Sequence, residues 1–149
     1  MSTRNTVLEA LKTEIEETIK PGNTSAESYE YLTQPVEVRR GVHDDKSFDY
    51  YPVLGYVCIR DEVFETEFNN DFVRSLVVWV YGYSDTSSYS TSTTDYDPIH
   101  DLMEDVEKFM LHDFTYNVHL GDVEFMEGGV SHPISMFVYE MNILYENQI

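Results

Sequence analysis

The chain has 149 residues, 42% of them hydrophobic and 14% aromatic, which suits a single folded domain over residues 1–149 rather than a disordered chain or two domains. Its 28 acidic residues against nine Lys and Arg give a formal charge of −19, which excludes a clamp that grips nucleic-acid phosphates. An acidic wall still lets DNA slide past, and the alternative interpretation is that the charge only aids solubility.

The single cysteine, Cys58, excludes a disulfide framework and a cysteine zinc site, and its apolar surroundings predict a small buried hydrophobe. The first 17 residues alternate charged and apolar side chains and lack the core of a signal peptide. No stretch reaches the length of a membrane span. These patterns predict a soluble protein in a reducing, cytoplasmic setting.

An amphipathic helix is predicted first, capped by Thr3 or Asn5 and ended by Pro21-Gly22-Asn23. Its apolar stripe consists of Val7, Leu8, Leu11, Ile15 and Ile19. The alternating segment Pro35–Arg40 then predicts a half-buried strand at a sheet edge, because it starts with proline and carries charges.

Two apolar segments follow, Pro52–Arg60 and Phe72–Tyr83, and the cluster Asn69-Asn70-Asp71 between them predicts an antiparallel pair. The second segment, FVRSLVVWVYGY, is rich in β-branched and aromatic residues without a polar face. It predicts a strand in the middle of the sheet, covered on both faces.

A mobile polar loop is predicted over Ser84–Tyr96, which contains no aliphatic residue, and Asp97-Pro98 begins a second helix. The predicted water-facing residues of that helix are Asp101, Glu104, Asp105, Glu107 and Lys108. Three further strands are predicted, over Thr115–Leu120, Val123–Met126 and Ile134–Tyr145. The order of elements predicts an α+β fold, with a mainly antiparallel sheet of four to six strands and two packed α-helices.

No pattern of residues predicts catalysis. GxSxG, Walker A and GxGxxG motifs do not occur, so we expect neither an enzyme nor a cofactor. His112, Asp113 and His119 lack the spacing of a metal site, and we expect no metal there and solvated histidines.

The candidate interface residues lie in three places. Arg39 and Arg40, the one basic doublet, would contact an acidic neighbouring copy or protect a strand edge. Asp44 and Asp45 lie in the polar segment Gly41–Tyr50. Tyr89 and Asp95 lie in the Ser/Thr-rich loop, where tyrosine has no core role and offers contact area with a polar handle.

Taken together, this order resembles that of bacteriophage tail terminator, or tail completion, proteins. The likeness rests on the amphipathic first helix, the basic strand, YYPVLGYVCIRDE leading into FVRSLVVWVYGY, the hydroxyl-rich loop, the acidic helix DPIHDLMEDVEKFM and the last strand SMFVYEMNILYE. It covers nearly the whole chain and is one of architecture, since the family has no catalytic signature.

The resemblance implies a virion protein, assembled in the host cytoplasm, that caps the tail tube as a hexameric ring at the head-proximal end. Such a ring ends polymerisation of the tail tube protein and joins the head connector, and DNA passes through its acidic channel without specific binding. Two alternatives stay open: another phage neck, baseplate or head-tail joining component, and an acidic inhibitor that mimics DNA.

Overall fold

The structure is a computed structural model that describes residues 3–41, 52–65, 71–85, 99–126 and 134–148. Two helices and five strands make up this part of the chain. In chain order they are α1 (Arg4–Thr18), β1 (Glu37–Arg40), β2 (Val53–Glu65), β3 (Asp71–Asp85), α2 (Ile99–Lys108), β4 (Asn117–Met126) and β5 (Ile134–Gln148). A π-helical turn over Phe109–Asp113 extends α2.

The five strands form one sheet in the order β1-β2-β3-β5-β4. The predicted central strand, β3, pairs antiparallel with β2 on one side and with β5 on the other. β4 pairs antiparallel with β5, whereas β1 pairs parallel with β2 and lies at the sheet edge, as its sequence predicted. The predicted α+β class, with a mainly antiparallel sheet and two helices, is confirmed.

Both helices cover the same face of the sheet, here called the helix-covered face. Every second residue of β3 points to this face, including Leu76, Val78 and Val80, and these pack with apolar residues of both helices in one buried cluster. Met141 and Ile143 of β5 belong to the same cluster. Burying each such side chain contributes about 1.5–3 kcal/mol, so this cluster is the main source of stability.

Helix α1 has the predicted boundaries. Thr3 is its N-cap, and its hydroxyl accepts a hydrogen bond from the Thr6 backbone N–H at 3.1 Å. At the other end the Asn23 side-chain amide donates to the carbonyls of Glu17 and Thr18, at 3.0 and 3.1 Å. Gly22, with a φ of 97°, allows the chain to turn back so that Asn23 reaches these carbonyls.

The opposite face of the sheet has a smaller buried cluster, formed by Val53, Tyr81, Tyr83 and Ile134. The prediction that β3 is covered on both faces therefore holds at Tyr81 and Tyr83. It is wrong at Trp79, whose side chain is 44% exposed on this face.

A second correction concerns β4. The two predicted strands on either side of Gly121-Asp122 are one strand with an irregularity in its pairing, between Leu120 and Val123. A bulge of this kind bends a strand without ending it, so the turn-forming residues mark a bend rather than a break.

Candidate assembly surfaces

The two arginines of β1 point to opposite faces of the sheet, because successive side chains of a strand alternate. Arg40 lies beside α1, where its Nη1 donates to Glu9 Oε1 at 2.5 Å and to Asn5 Oδ1 at 2.8 Å. Arg39 lies on the opposite face, and its Nε donates to Glu37. The doublet is therefore not a single basic patch. Arg40 links the edge strand to α1, and Arg39 lies on the face of the sheet opposite the helices.

The other four predicted interface residues, Asp44, Asp45, Tyr89 and Asp95, lie outside the described residues. Ser84 and Asp85, the start of the predicted polar loop Ser84–Tyr96, belong to β3, and the rest of that segment lies outside the described residues.

Asp105 of α2 was predicted to face water, and this prediction is wrong. Its side chain is fully buried. The carboxylate accepts hydrogen bonds from the hydroxyl of Tyr29 at 2.6 Å and from the backbone N–H groups of Leu32 and Thr33 at 3.0 and 2.7 Å. A buried carboxylate is tolerated when it accepts several such bonds, so Asp105 holds the segment between α1 and β1 against α2.

Asp113 makes a second contact of the same kind at the end of the π-helical turn. Its two carboxylate oxygens accept from the Ala26 backbone N–H at 2.8 Å and from the Tyr31 hydroxyl at 2.5 Å. Burial, and next the hydrogen bond to its aspartate, raise the pKa of Tyr31 far above its usual value, and the same causes act on Tyr29. Asp113 thus has a structural role, and the described residues contain no group of three or more His, Cys, Asp or Glu able to hold a metal ion.

The last four residues of β4, Val123–Met126, are here called the outer half of β4, and they form a sheet edge with exposed apolar side chains. Val123, Phe125 and Met126 are 47%, 41% and 42% exposed, and the Phe125 ring lies beside the His100 imidazole, with centroids 5.0 Å apart. Asp122 and Glu124 are exposed in the same stretch. An exposed edge strand with apolar side chains is a surface on which another strand can pair.

The opposite sheet edge, at β1, borders a groove of about 420 Å³ between the strand and α1. Lys12, Glu16, Pro35, Val36 and Val38 line it. Val36 is 56% exposed, so apolar surface is accessible at this edge too. The two edges differ in charge: β1 carries Arg39 and Arg40 against Glu37, whereas β4 carries two acids and no Lys or Arg.

No protein-family model matches this chain, and no curated protein sequence matches it. Among the described residues, no helix is both long and apolar enough to cross a membrane. The edge at β4 was not predicted as a site from the sequence, although the apolar residues of Val123–Met126 were visible in it. The edge at β1 was predicted as a candidate through Arg39 and Arg40.

Proposed function

We propose that this protein is a structural component of a bacteriophage tail. It caps the end of the tail tube as a hexameric ring, ends polymerisation of the tube protein and provides the surface to which the head connector joins. The proposal starts from the resemblance of the ordered sequence segments to tail terminator proteins. The described helices and strands have the α+β order predicted from those segments.

The observation that carries the proposal is the pair of unlike edges on one sheet. β1 and β4 are the outermost strands, and they differ in length, charge and exposed apolar surface. A ring of identical subunits needs two different surfaces that fit each other, because each copy contacts its neighbours through a heterologous interface. The sheet of this protein offers two such surfaces on one rigid body.

The charge of the chain supports the same proposal. The segment from Leu76 onward contains thirteen acidic residues and Lys108 as its only Lys or Arg. A ring built from such subunits has a strongly negative field, which repels DNA phosphates and keeps the genome from adhering to the channel wall. The proposed protein would therefore let DNA pass without binding it.

Light scattering over a concentration series, with negative-stain images of the heaviest fraction, tests the proposed ring. The functional test adds the protein to its tail tube protein during polymerisation. We expect six-membered rings with an open channel and tubes that stop growing with a ring at one end. Tubes that grow equally long with and without the protein would contradict the proposal.

The DNA-mimic alternative gives a different result in the same experiments. An inhibitor of that kind stays a monomer or dimer, and it binds a basic nucleic-acid enzyme with an affinity that falls as salt rises. A protein that leaves tube growth unchanged and binds a basic enzyme in this salt-sensitive manner would instead be an inhibitor that mimics DNA.

A further inference from the structure

We propose that the subunits join through their sheet edges: the outer half of β4 in one copy pairs antiparallel with β1 of the next copy. This interface rests on the proposed self-assembly, but it is a separate claim about which strands meet. The occupant of each edge is thus a second copy of this chain. Joining the edges would continue the five-stranded sheet from one subunit into its neighbour.

Strand direction permits this pairing. β1 runs parallel to β2, β2 antiparallel to β3, β3 antiparallel to β5, and β5 antiparallel to β4. β1 and β4 therefore run in opposite directions. When the sheet of one copy continues into the next with the same face toward the helices, β4 meets β1 antiparallel, which is the more stable kind of ladder.

Strand length permits it as well. β1 has four residues, Glu37–Arg40. The bulge in β4 leaves a regular stretch of four residues, Val123–Met126, between the bend and the end of the strand. Each edge thus offers a regular stretch of four residues for the ladder, although the whole strands differ in length.

One register pairs compatible side chains at the two central positions of the four-residue ladder. With Glu124 facing Arg39, an acid and a base share the face opposite the helices. Phe125 then faces Val38 on the helix-covered face, since side chains alternate. Shifting by two residues to place Phe125 against Val36 would set Glu124 against Glu37, and like charges directly opposite each other destabilise a strand pair.

The groove between β1 and α1 provides apolar surface for the Phe125 side chain of the neighbouring copy. In this register the exposed Phe125 ring of one copy lies over the strip between β1 and α1 of the next, where Val36 and Pro35 line the groove. The contact covers two apolar surfaces that are each about half exposed in the single chain. Because the two edges are different, the contact repeats head to tail, and it generates a ring when the rotation between neighbouring copies closes.

A cysteine cross-link tests the register. Two variants are made in a Cys58→Ser chain, one with Arg39→Cys and one with Glu124→Cys, and they are mixed under mild thiol oxidation. Opposite residues of an antiparallel pair have Cβ atoms about 4.5–5.5 Å apart, close enough for a disulfide after a small adjustment. We expect linked dimers at roughly ten times the yield of Glu124→Cys mixed with the control Lys108→Cys on α2, because pairing raises the local thiol concentration.

A charge exchange tests the energetics. Arg39→Glu and Glu124→Arg should each weaken assembly about tenfold, and the chain with both changes should recover it, because it restores the pair with the charges reversed. The matched control exchanges Glu104 and Lys108, a weak surface pair on α2 with 3.9 Å between Nζ and Oε1. That exchange should leave assembly unchanged.

The outcomes separate this inference from the proposed function. Wild-type rings whose cross-link yield does not exceed the control would overturn the edge pairing and leave the tail role standing. Cross-linked rings that do not stop tube growth would support the edge pairing and contradict the tail role. A wild-type protein that stays monomeric at every concentration and on tail tubes would overturn both.

Discussion

The carboxylate of Asp105 accepts hydrogen bonds from both the backbone N–H and the hydroxyl of Thr33, at 2.7 and 2.5 Å, across 72 positions of the chain. It thereby supplies acceptors to Leu32 and Thr33, the two residues that follow Tyr31, whose own backbone N–H donates to the Asn23 carbonyl. The bridge between Thr24 and Glu30 is the only ladder in the described chain between α1 and β1. One side chain of α2 thus fixes the path of the chain into the edge strand.

Replacing this aspartate should cost more than a typical surface change. Asp105→Asn puts an amide NH2 among N–H and O–H donors, which leaves buried donors without an acceptor, and we expect a loss of about 3 kcal/mol in the free energy of unfolding. Urea denaturation measures it. Glu104→Gln, at an exposed position next to it on α2, should change stability by less than about 0.5 kcal/mol. A loss below about 1 kcal/mol for Asp105→Asn would show that the carboxylate does not hold the segment.

Gly82 of β3 lies directly under an aromatic ring. A Cβ atom at this position would lie 2.5 Å from Cζ of Phe137 and 3.1 Å from Cδ2 of Leu54. Gly82→Ala should therefore lower the free energy of unfolding by about 1–3 kcal/mol, as overpacking does in tight cores. Thermal unfolding measures the change, and the double variant Gly82→Ala with Phe137→Leu should lose less than the sum of the two single changes. Strict additivity would contradict the close contact.

Alkaline pH should destabilise the protein, and Tyr139 should contribute to this effect. Burial, and next the nearby Glu107 and Glu104 carboxylates, raise the pKa of Tyr139 to about 12. Below pH 10 the phenol is protonated in the folded and the unfolded chain, so its contribution is complete. Between about pH 10 and 12 the unfolded chain loses this proton and the folded chain keeps it, so the free energy of unfolding falls, by about 2–3 kcal/mol in total.

Urea denaturation at several pH values checks this prediction. Tyr29, Tyr31 and Tyr56 act in the same direction, because burial raises the pKa of each. The informative comparison is therefore between wild type and Tyr139→Phe, which has no phenol at this position and should lose less stability over the same interval. Parallel curves for the two proteins would show that Tyr139 does not carry the effect.

Periodic patterns allowed most of the fold to be predicted. The apolar stripe of α1 and the alternation of β5 each bury the face that their spacing indicated, and the continuous apolar run of β3 is the middle strand of the sheet. The burial of Asp105 was not predicted, because charged side chains usually face water. Its position three residues after Leu102 places it on the buried side of α2, and the donors that satisfy it lie some 72 residues away, a pairing that local pattern does not encode.

The candidate site was less predictable for a related reason. Charge drew attention to Arg39 and Arg40 together, whereas alternation along β1 separates them. The edges of the sheet depend on strand order, and strand order arises from contacts between distant segments. Neither the sequence of β4 nor that of β5 indicates by itself that β4 is the outer strand of the pair.

The place of β5 in the sheet has a consequence for synthesis. β5 is the last strand of the described chain, yet it lies between β3 and β4 in the sheet. Val78 of β3 is paired with Met141 of β5, which comes 63 positions later. A ribosome adding about 5–20 residues per second leaves the apolar edge of β3 without this partner for about 3–13 s. Throughout that interval the growing chain is already acidic, with 15 of its 28 acids lying before Leu76. Net charge of one sign opposes the association of chains, so this acidity works against aggregation of the half-formed sheet until its last strand arrives.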